Sequence, residues 1–288
     1  MLPEVNQQTY SDFDRVIAFL LRHMGLIVML AGFGGGAGVA LSYCISRQFR
    51  ADAVLIPSDE MLGLNQNGIL GNLGGLASLV GGGAAGNKQN EAIATLRSRE
   101  LTMSYIEKNG LLPILFHDRW DSAAKKWKVS SLHSTPSLED GFTVFDKSIR
   151  MVSENHKTGL ITFSITWTDP TLAKIWTDGL ISATNDHLRM QAIERSGRNI
   201  EYLQKASDAT SVMEVRATIY KLMETEIKKQ MVATGNKDYA FRVVDPAIVP
   251  EHKVSPVRSL FLISGAILGP GIWWVIYSVR KVRAKVSR

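Results

Sequence analysis

Two long uncharged runs dominate the pattern of apolar and polar positions along this chain. Residues 24–46 carry no charged side chain, and neither do residues 259–279, which have an arginine at each flank. A helix needs roughly 20 apolar residues to cross the hydrocarbon core of a bilayer. Trp273, Trp274 and Tyr277 lie toward the end of the second run, and such rings favour the headgroup level. The pattern therefore predicts two transmembrane helices.

Between the two runs, alternating apolar and polar positions predict several strands. Residues 49–56 form the first strand, 149–153 and 160–167 form a hairpin, and 239–244 form the last strand. Every second residue of 160–167 is apolar, so one face of that strand is expected to be buried. We expect the last strand to pair with the first, because each adjoins a predicted membrane helix.

Helical periodicity marks three further regions. Residues 90–109 predict one helix. Asp169 and Pro170 open the longest helix, in which Trp176 and other apolar residues recur at helical spacing. After a break at 207–211, a second amphipathic helix carries an apolar stripe, which consists of Val212, Val215, Ile219, Leu222, Ile227 and Met231. The simplest interpretation of this stripe is packing against the sheet.

These elements predict an α+β fold. Two transmembrane helices flank an extracytoplasmic α/β domain with a small mixed sheet and long amphipathic helices. The glycine-rich stretch 63–86 is expected to be a flexible loop. It either packs against a neighbour or the membrane surface, or it is a plain solvated loop, and the sequence leaves both interpretations open.

The distribution of charge predicts the orientation of the chain. The net charge is +6, and five of the nine residues in 280–288 are basic, whereas the middle of the chain is near neutral. The basic balance therefore gives no reason to expect a nucleic-acid partner. Basic residues beside a membrane helix are retained in the cytoplasm, which predicts a bacterial inner-membrane protein with its main domain in the periplasm. The predicted parts are a cytoplasmic segment 1–23, a span 24–46, a periplasmic domain 47–258, a span 259–279 and a basic cytoplasmic tail 280–288.

A cleaved signal peptide or a lipoprotein signal is the alternative for the first run. A signal peptide is disfavoured because the leading region is long and acidic, and small residues form no clear cleavage site. A lipoprotein signal would end at Cys44, but Tyr43 is large where a small residue is needed. Since Cys44 is the single cysteine, an intramolecular disulfide is impossible.

The first run contains two interleaved pairs of glycines with GxxxG spacing. These are Gly32 with Gly36 and Gly34 with Gly38. Such pairs let two helix backbones approach closely in lipid. We expect these glycines to form a helix-packing surface, the alternative being that the span merely tolerates its composition.

Motifs for catalysis or cofactor binding do not emerge from the sequence. Residues 81–88 approach a phosphate-binding loop, but Asn87 separates its second glycine from the lysine, and Gln89 stands where Ser or Thr is required. The six histidines are scattered, without metal-ligand spacing. We predict no catalytic residue, no metal site and no cofactor. Trp120 and Trp127, near three lysines, either contact sugar or phosphate or lie in a solvated loop.

One segment around the start of the second run is more specific. It contains Pro246, Pro250, Ser255 and Pro256, and Gly269 follows inside the run. Proline fixes φ and lacks a backbone donor, so the segment is expected to be stiff and extended. It resembles the proline-rich signature of the polysaccharide co-polymerases, the Wzz-type chain-length determinants, in which two prolines precede a Ser-Pro-Lys and a later glycine. Three departures are a wider spacing of the first prolines, a valine in place of the lysine, and the displacement of a second glycine expected after Gly269.

The resemblance covers nearly the whole chain and implies a function. Asp169, Pro170 and Trp176 look like the family's start to its long helix. By this likeness the protein is a non-enzymatic, homo-oligomeric ring in the inner membrane. It would regulate the chain length of a surface polysaccharide such as O-antigen, capsule or exopolysaccharide. The implied partners are further copies of the chain, a Wzy-type polymerase and the nascent polysaccharide.

Two other functions are also consistent with the sequence. A membrane adaptor for polysaccharide export, or for a separate cytoplasmic tyrosine kinase, would use the basic tail 280–288. A membrane-anchored hydrolase would use acidic residues that no motif singles out.

Overall fold

The structure, a computed structural model, describes residues 24–58, 82–128 and 135–286, with side chains placed except at 82–87 and 274–286. The described residues form two compact units. The larger unit is Phe49–His252, and the smaller unit consists of the described residues before Phe49 and after His252. Most of the predicted loop 63–86 lies outside the described residues.

Helices and short strands alternate along the described residues. In chain order, the helices are α1 (Met24–Cys44), α2 (Gly82–Leu96), α3 (Arg99–Lys108), α4 (Leu112–Leu115), α5 (Leu138–Val144), α6 (Pro170–Ala209), α7 (Met213–Gly235) and α8 (Arg258–Val286). The strands are β1 (Gln48–Pro57), β2 (Trp120–Asp121), β3 (Lys126–Trp127), β4 (Arg150–Asn155), β5 (Leu160–Trp167), β6 (Phe241–Asp245) and β7 (Lys253–Ser255).

Two apolar helices, α1 and α8, make up most of the smaller unit. Helix α1 is long and apolar enough to cross a membrane, which agrees with the predicted first span. In α8, among the residues whose side chains are described, the apolar stretch Arg258–Trp273 is shorter than the length required of a membrane-spanning helix. The second span therefore stays a prediction.

The larger unit contains a sheet in which four strands follow the order β4-β5-β1-β6. The predicted hairpin is confirmed as β4 and β5, and the predicted pairing of the first and last strands is confirmed as β1 with β6. The expectation of a mixed sheet is wrong for these four strands, because every neighbouring pair is antiparallel. The physical reason for β4 and β5 is their short turn, since a parallel pair would need a long crossover.

The hydrophobic core of this unit lies on one face of the sheet. Fully buried residues of β1 and β5 stand directly opposite each other in the pairs Ala51 with Ile165, Ala53 with Phe163, and Leu55 with Ile161. Helix α6 covers this face with Trp176 and Leu180, which are 2% and 0% exposed. The apolar face predicted for 160–167 is therefore confirmed at its three central positions.

The helical region predicted as 90–109 consists of two helices. Helix α2 ends at Leu96 and α3 begins at Arg99. The break occurs because the Ser98 side chain accepts a hydrogen bond from the amide of Leu101 (3.2 Å) and so caps a new helix. Helix α2 also begins at Gly82, so the end of the predicted loop is helical.

Helix α6 has 40 residues and is therefore about 60 Å long. Its buried apolar residues end at Leu188, and α7 packs alongside it. The expectation that the apolar stripe of α7 packs against the sheet is wrong. Ile219 is buried, but the other five residues of the stripe are between 42% and 67% exposed. The sheet face is already occupied by the first half of α6, so α7 packs on α6 instead.

Candidate functional site

The glycines of α1 and α8 form a close backbone contact in the smaller unit. A Cβ at Gly34 would overlap the carbonyl oxygen of Gly265, and one at Gly38 would overlap that of Phe261. A Cβ at Gly269 would lie 2.5 Å from the carbonyl oxygen of Leu30. Because any side chain at these positions would force the helices apart, the contact requires glycine.

The four predicted packing glycines do not share one environment. Gly34 and Gly38 face α8, whereas Gly32 and Gly36 have no atom within 4 Å of a Cβ. Gly265 also faces α1, although it was absent from the sequence prediction. The spacing of Gly265 and Gly269 repeats the GxxxG pattern of α1 and was the signal that could have identified it.

The residues of the proline segment are divided between the two units. Pro246 and Pro250 belong to the larger unit, and Ser255, Pro256 and Gly269 belong to the smaller one. Pro246 is exposed, Pro250 and Ser255 are half-buried, and Pro256 is buried after a cis peptide bond. The structure therefore does not gather these residues into one cluster; they follow the chain from one unit to the other.

The start of the long helix is fixed by its capping residue and by an aromatic anchor. The Asp169 carboxylate accepts hydrogen bonds from the amides of Thr171 (2.7 Å) and Leu172 (3.2 Å), and Pro170 occupies the first helical position. One turn and a half later, Trp176 contacts Phe145 and Trp167, with ring centroids 5.9 Å and 5.1 Å apart. These three residues therefore orient α6 on the sheet.

Two buried polar side chains, Asn185 and Arg150, connect distant elements of the larger unit. Asn185 Oδ1 accepts from the amides of Ala240 (2.9 Å) and Phe241 (2.8 Å), and its Nδ2 donates to the Phe241 carbonyl (3.0 Å). The bonds hold α6 against the start of β6. The sequence alone did not identify Asn185, because an asparagine within a helix has no distinctive pattern.

Arg150 forms the second buried connection, at the start of β4. Its guanidinium donates to the Leu96 carbonyl (2.9 Å), the Thr102 hydroxyl (2.7 Å) and the Arg97 carbonyl (3.0 Å), and it pairs with Asp146. Burial lowers the pKa of Arg150, and its hydrogen bond and charge interaction with Asp146 offset part of this decrease. The bonds satisfy carbonyl groups at the break between α2 and α3.

A groove of about 600 Å³, with both polar and apolar lining side chains, lies beside α6 in the larger unit. Its lining residues are Asp178, Ile181, Ser182, Asn185, Asp186, Arg189, Lys237, Asp238, Val243 and Pro246. Asp186 accepts from Arg189 (2.8 Å), whereas Arg189 Nε is buried without a hydrogen-bond partner. Carboxylate acceptors, cationic donors and an apolar side provide contacts for a hydroxyl-bearing ligand.

Trp120 and Trp127 lie directly opposite each other on the hairpin of β2 and β3. Their rings meet edge to face with centroids 4.9 Å apart. Asp121 is paired with Lys126 in the next register position, and alternate residues of a strand point to opposite faces. The tryptophans and Lys126 therefore do not form one combined binding surface.

The residues that the structure describes contain no group of three His, Cys, Asp or Glu side chains able to hold a metal ion. The free Cys44 is exposed. Among the described residues, the arrangement consists of packing and capping contacts and the groove beside α6.

Comparison with known proteins gave matches among solved structures only. No protein-family model matches the chain, and no curated protein matches it. A full-length bacterial polysaccharide co-polymerase aligns with 93% of this chain and 97% of its own, at 11% identity and a TM-score of 0.39. A fragment of WzzB, a polysaccharide co-polymerase from Salmonella Typhimurium, aligns with 73% of this chain and 100% of its own, at 13% identity and a TM-score of 0.30.

A third solved structure is a mutant of WzzBSF, the Shigella flexneri lipopolysaccharide O-antigen chain-length regulator. It aligns with 72% of this chain and 99% of its own, at 9% identity and a TM-score of 0.23. These structural neighbours are polysaccharide co-polymerases, the family that the proline segment resembles.

Proposed function

We propose that the protein regulates the chain length of a surface polysaccharide, acting as a homo-oligomeric ring in a bacterial inner membrane beside a Wzy-type polymerase. The observation that carries the proposal is the position of the proline signature. The signature begins where β6 ends, passes into α8, and includes Gly269, which lies against the Leu30 carbonyl of α1. The polysaccharide is an O-antigen, a capsule or an exopolysaccharide.

The proposed topology has two membrane spans and a periplasmic domain. Support comes from the apolar side chains that α1 and α8 turn outward, such as Phe33 at 80% exposed and Ile267 at 68%. Hydrocarbon is a suitable environment for such surfaces, while the glycines hold the two helices together. The basic segment 280–288 favours the cytoplasmic side for the end of α8.

The proposed self-association is supported by the exposed apolar residues of α7. Tyr220 and Met231, which lie on one face of the helix because eleven residues make about three full turns, are 51% and 67% exposed. The other side of α7 packs on α6. Apolar residues gathered on one exposed face mark interaction surfaces. Contact between copies would bury them.

The nascent polysaccharide is the further proposed partner. The groove beside α6 supports this proposal, since its donors and acceptors suit sugar hydroxyl groups and Pro246 of the signature lies on its lining. The proposed role is regulatory. The geometry of the ring sets the polymer length, and no catalytic residue is involved.

Deletion of the gene tests the proposal. The polysaccharide should still be made, but its distribution of chain lengths on a gel should change, and the wild-type gene should restore it. An unchanged distribution would contradict the proposed function.

Electron microscopy of the detergent-extracted protein tests the proposed ring separately. A closed ring supports it, whereas a stable monomer contradicts self-association.

The runner-up function is an adaptor for export or for a separate tyrosine kinase, and the basic segment 280–288 favours it. Truncation before Arg280 distinguishes the two proposals. Loss of surface polymer with assembly intact would favour the adaptor, and unchanged chain lengths in the truncated protein would remove its support.

A further inference from the structure

Three cationic residues of the smaller unit meet at one end of the paired helices. Arg47 lies three residues after the end of α1, Arg258 is the first residue of α8, and Lys253 lies on β7. The Arg258 guanidinium lies over the ring of Tyr43, 4.4 Å from its centroid. Desolvation first, and then the charges of Arg258 and Arg47, lower the pKa of Lys253. Gly38 meets the Phe261 backbone as Tyr43 meets Arg258, so the end of α1 lies beside the start of α8, and Lys253 precedes Arg258 by five residues. The three charges are therefore close neighbours.

Within the part of the chain that the structure describes, these three residues have no carboxylate at ion-pair distance. Unit charges of the same sign repel each other over several ångströms, even in water. A cluster of this kind is stabilised when an anion binds among the charges. The amino end of α8 adds to the same positive potential.

The location of the cluster indicates which anion is available. Under the proposed function, on which this inference rests, this end of α1 and α8 lies at the periplasmic surface of the membrane. Lipid phosphate groups lie at that level, and Tyr43 is of the residue type that favours it. Lys and Arg beside membrane helices are normally enriched on the cytoplasmic side. That preference does not explain three cationic residues on the periplasmic side.

We propose that Arg47, Lys253 and Arg258 form a binding site for the phosphate groups of anionic lipids at the periplasmic surface of the inner membrane. Each guanidinium or ammonium donates hydrogen bonds to phosphate oxygens. The Tyr43 ring holds Arg258 in place by a cation–π contact. All three residues belong to the smaller unit and adjoin the ends of α1 and α8, so a bound lipid would fix the level of these helix ends in the membrane.

Native mass spectrometry of the full-length protein in detergent tests the proposal, with phosphatidylglycerol as probe and phosphatidylcholine as the zwitterionic comparison. The test variants are Lys253→Gln and Lys253→Gln combined with Arg47→Gln. Phosphatidylglycerol affinity should fall about fivefold for each charge removed, from the ~1 kcal/mol that one basic residue contributes near an anionic surface. Lys253→Arg should retain the affinity.

The matched control is Lys157→Gln, which removes an exposed charge from the larger unit. It should bind phosphatidylglycerol as the wild type does. Equal affinity of the wild type and the double variant for phosphatidylglycerol would overturn the proposal. So would equal affinity of the wild type for the two lipids.

Soluble sodium pyrophosphate distinguishes a lipid site from a general phosphate site. Weak competition by pyrophosphate supports the lipid as the ligand. The opposite result is that pyrophosphate binds as tightly as the lipid and is equally sensitive to the variants. That result would overturn the proposal that a lipid is the ligand.

The outcome is independent of the chain-length assay. A protein that binds phosphatidylglycerol through these residues, but whose deletion leaves polymer length unchanged, would refute the proposed function and not the site.

Discussion

At the scale of single residues, the larger unit depends on a few buried polar side chains. Asn185 satisfies two amides and one carbonyl at the start of β6. Buried polar groups that lose their partners cost free energy, because no water replaces the lost hydrogen bond. These residues therefore matter for folding.

Replacement of Asn185 by alanine should lower the free energy of unfolding by about 2–3 kcal/mol, because it leaves buried amides without acceptors. Thermal or chemical unfolding of the full-length protein in detergent measures this loss. Asn199→Ala is the matched control, since Asn199 makes one exposed bond to Glu226 at 3.4 Å. Equal losses in the two variants would contradict the assigned role of Asn185.

Tyr105 should make the stability of the protein sensitive to high pH. Burial, and then the charge of Asp178, raise the pKa of its phenol to about 12, against roughly 10 in an unfolded chain. The unfolded chain therefore loses a proton before the folded one, and the stability present below pH 10 decreases as pH rises toward 12.

Unfolding measured between pH 9 and about 12 checks this expectation. Tyr105→Phe should lose less stability over that window than the wild type does. Tyr202→Phe, at a residue that is 72% exposed, should follow the wild type. A Tyr105→Phe profile parallel to the wild type would refute the assignment.

At the scale of elements, the contact of α1 with α8 depends on which glycines face the partner helix. Two positions along a helix correspond to a rotation of about 200°. Gly34 and Gly36 therefore point to nearly opposite sides, although they belong to equivalent sequence patterns. Gly34 meets the Gly265 backbone, and Gly36 meets open space.

Gly34→Val should therefore separate the helices, and Gly36→Val should leave them together. The valine at residue 34 would overlap backbone atoms that cannot move aside, a change that typically costs 1–3 kcal/mol or more. The melting temperature of the detergent-extracted protein should fall for Gly34→Val alone. Equal behaviour of the two variants would contradict the observed helix contact.

The elements that the sequence predicted correctly have strong local signals. Alternation in 160–167 identified β5, and the capping chemistry of Asp169 and Pro170 identified the start of α6. The break between α2 and α3 was missed, because a single capping serine interrupts an otherwise continuous helical pattern. The choice between Gly34 and Gly36 could not be predicted either, since it depends on the rotation of one helix against another.

At the scale of the whole molecule, the exposed apolar face of α7 around Tyr220 and Met231 predicts association between copies. Tyr220→Lys combined with Met231→Lys would bring charges into the proposed contact and should reduce the mass of the assembly. Light scattering of the detergent-extracted protein measures that mass. Thr225→Lys, on an exposed polar position of the same helix, is the control and should assemble normally.

Retention of the full assembly by the double lysine variant would refute α7 as the contact between copies. Its thermal stability should stay close to that of the wild type, because both side chains are already more than half exposed. A large loss of stability would instead show that these residues support the fold of one copy.

The sequence by itself determined the uncharged runs, the class of the fold and the main strands and long helices. Each of these follows from short-range periodicity or from local capping. Tertiary structure alone decided the pairing of β1 with β5, the exposure of the α7 stripe and which glycines of α1 meet α8. It also brought Asn185 to β6 and three cations to one end of the helix pair. These features depend on residues far apart in the chain, and local patterns carry no information about which distant surfaces meet.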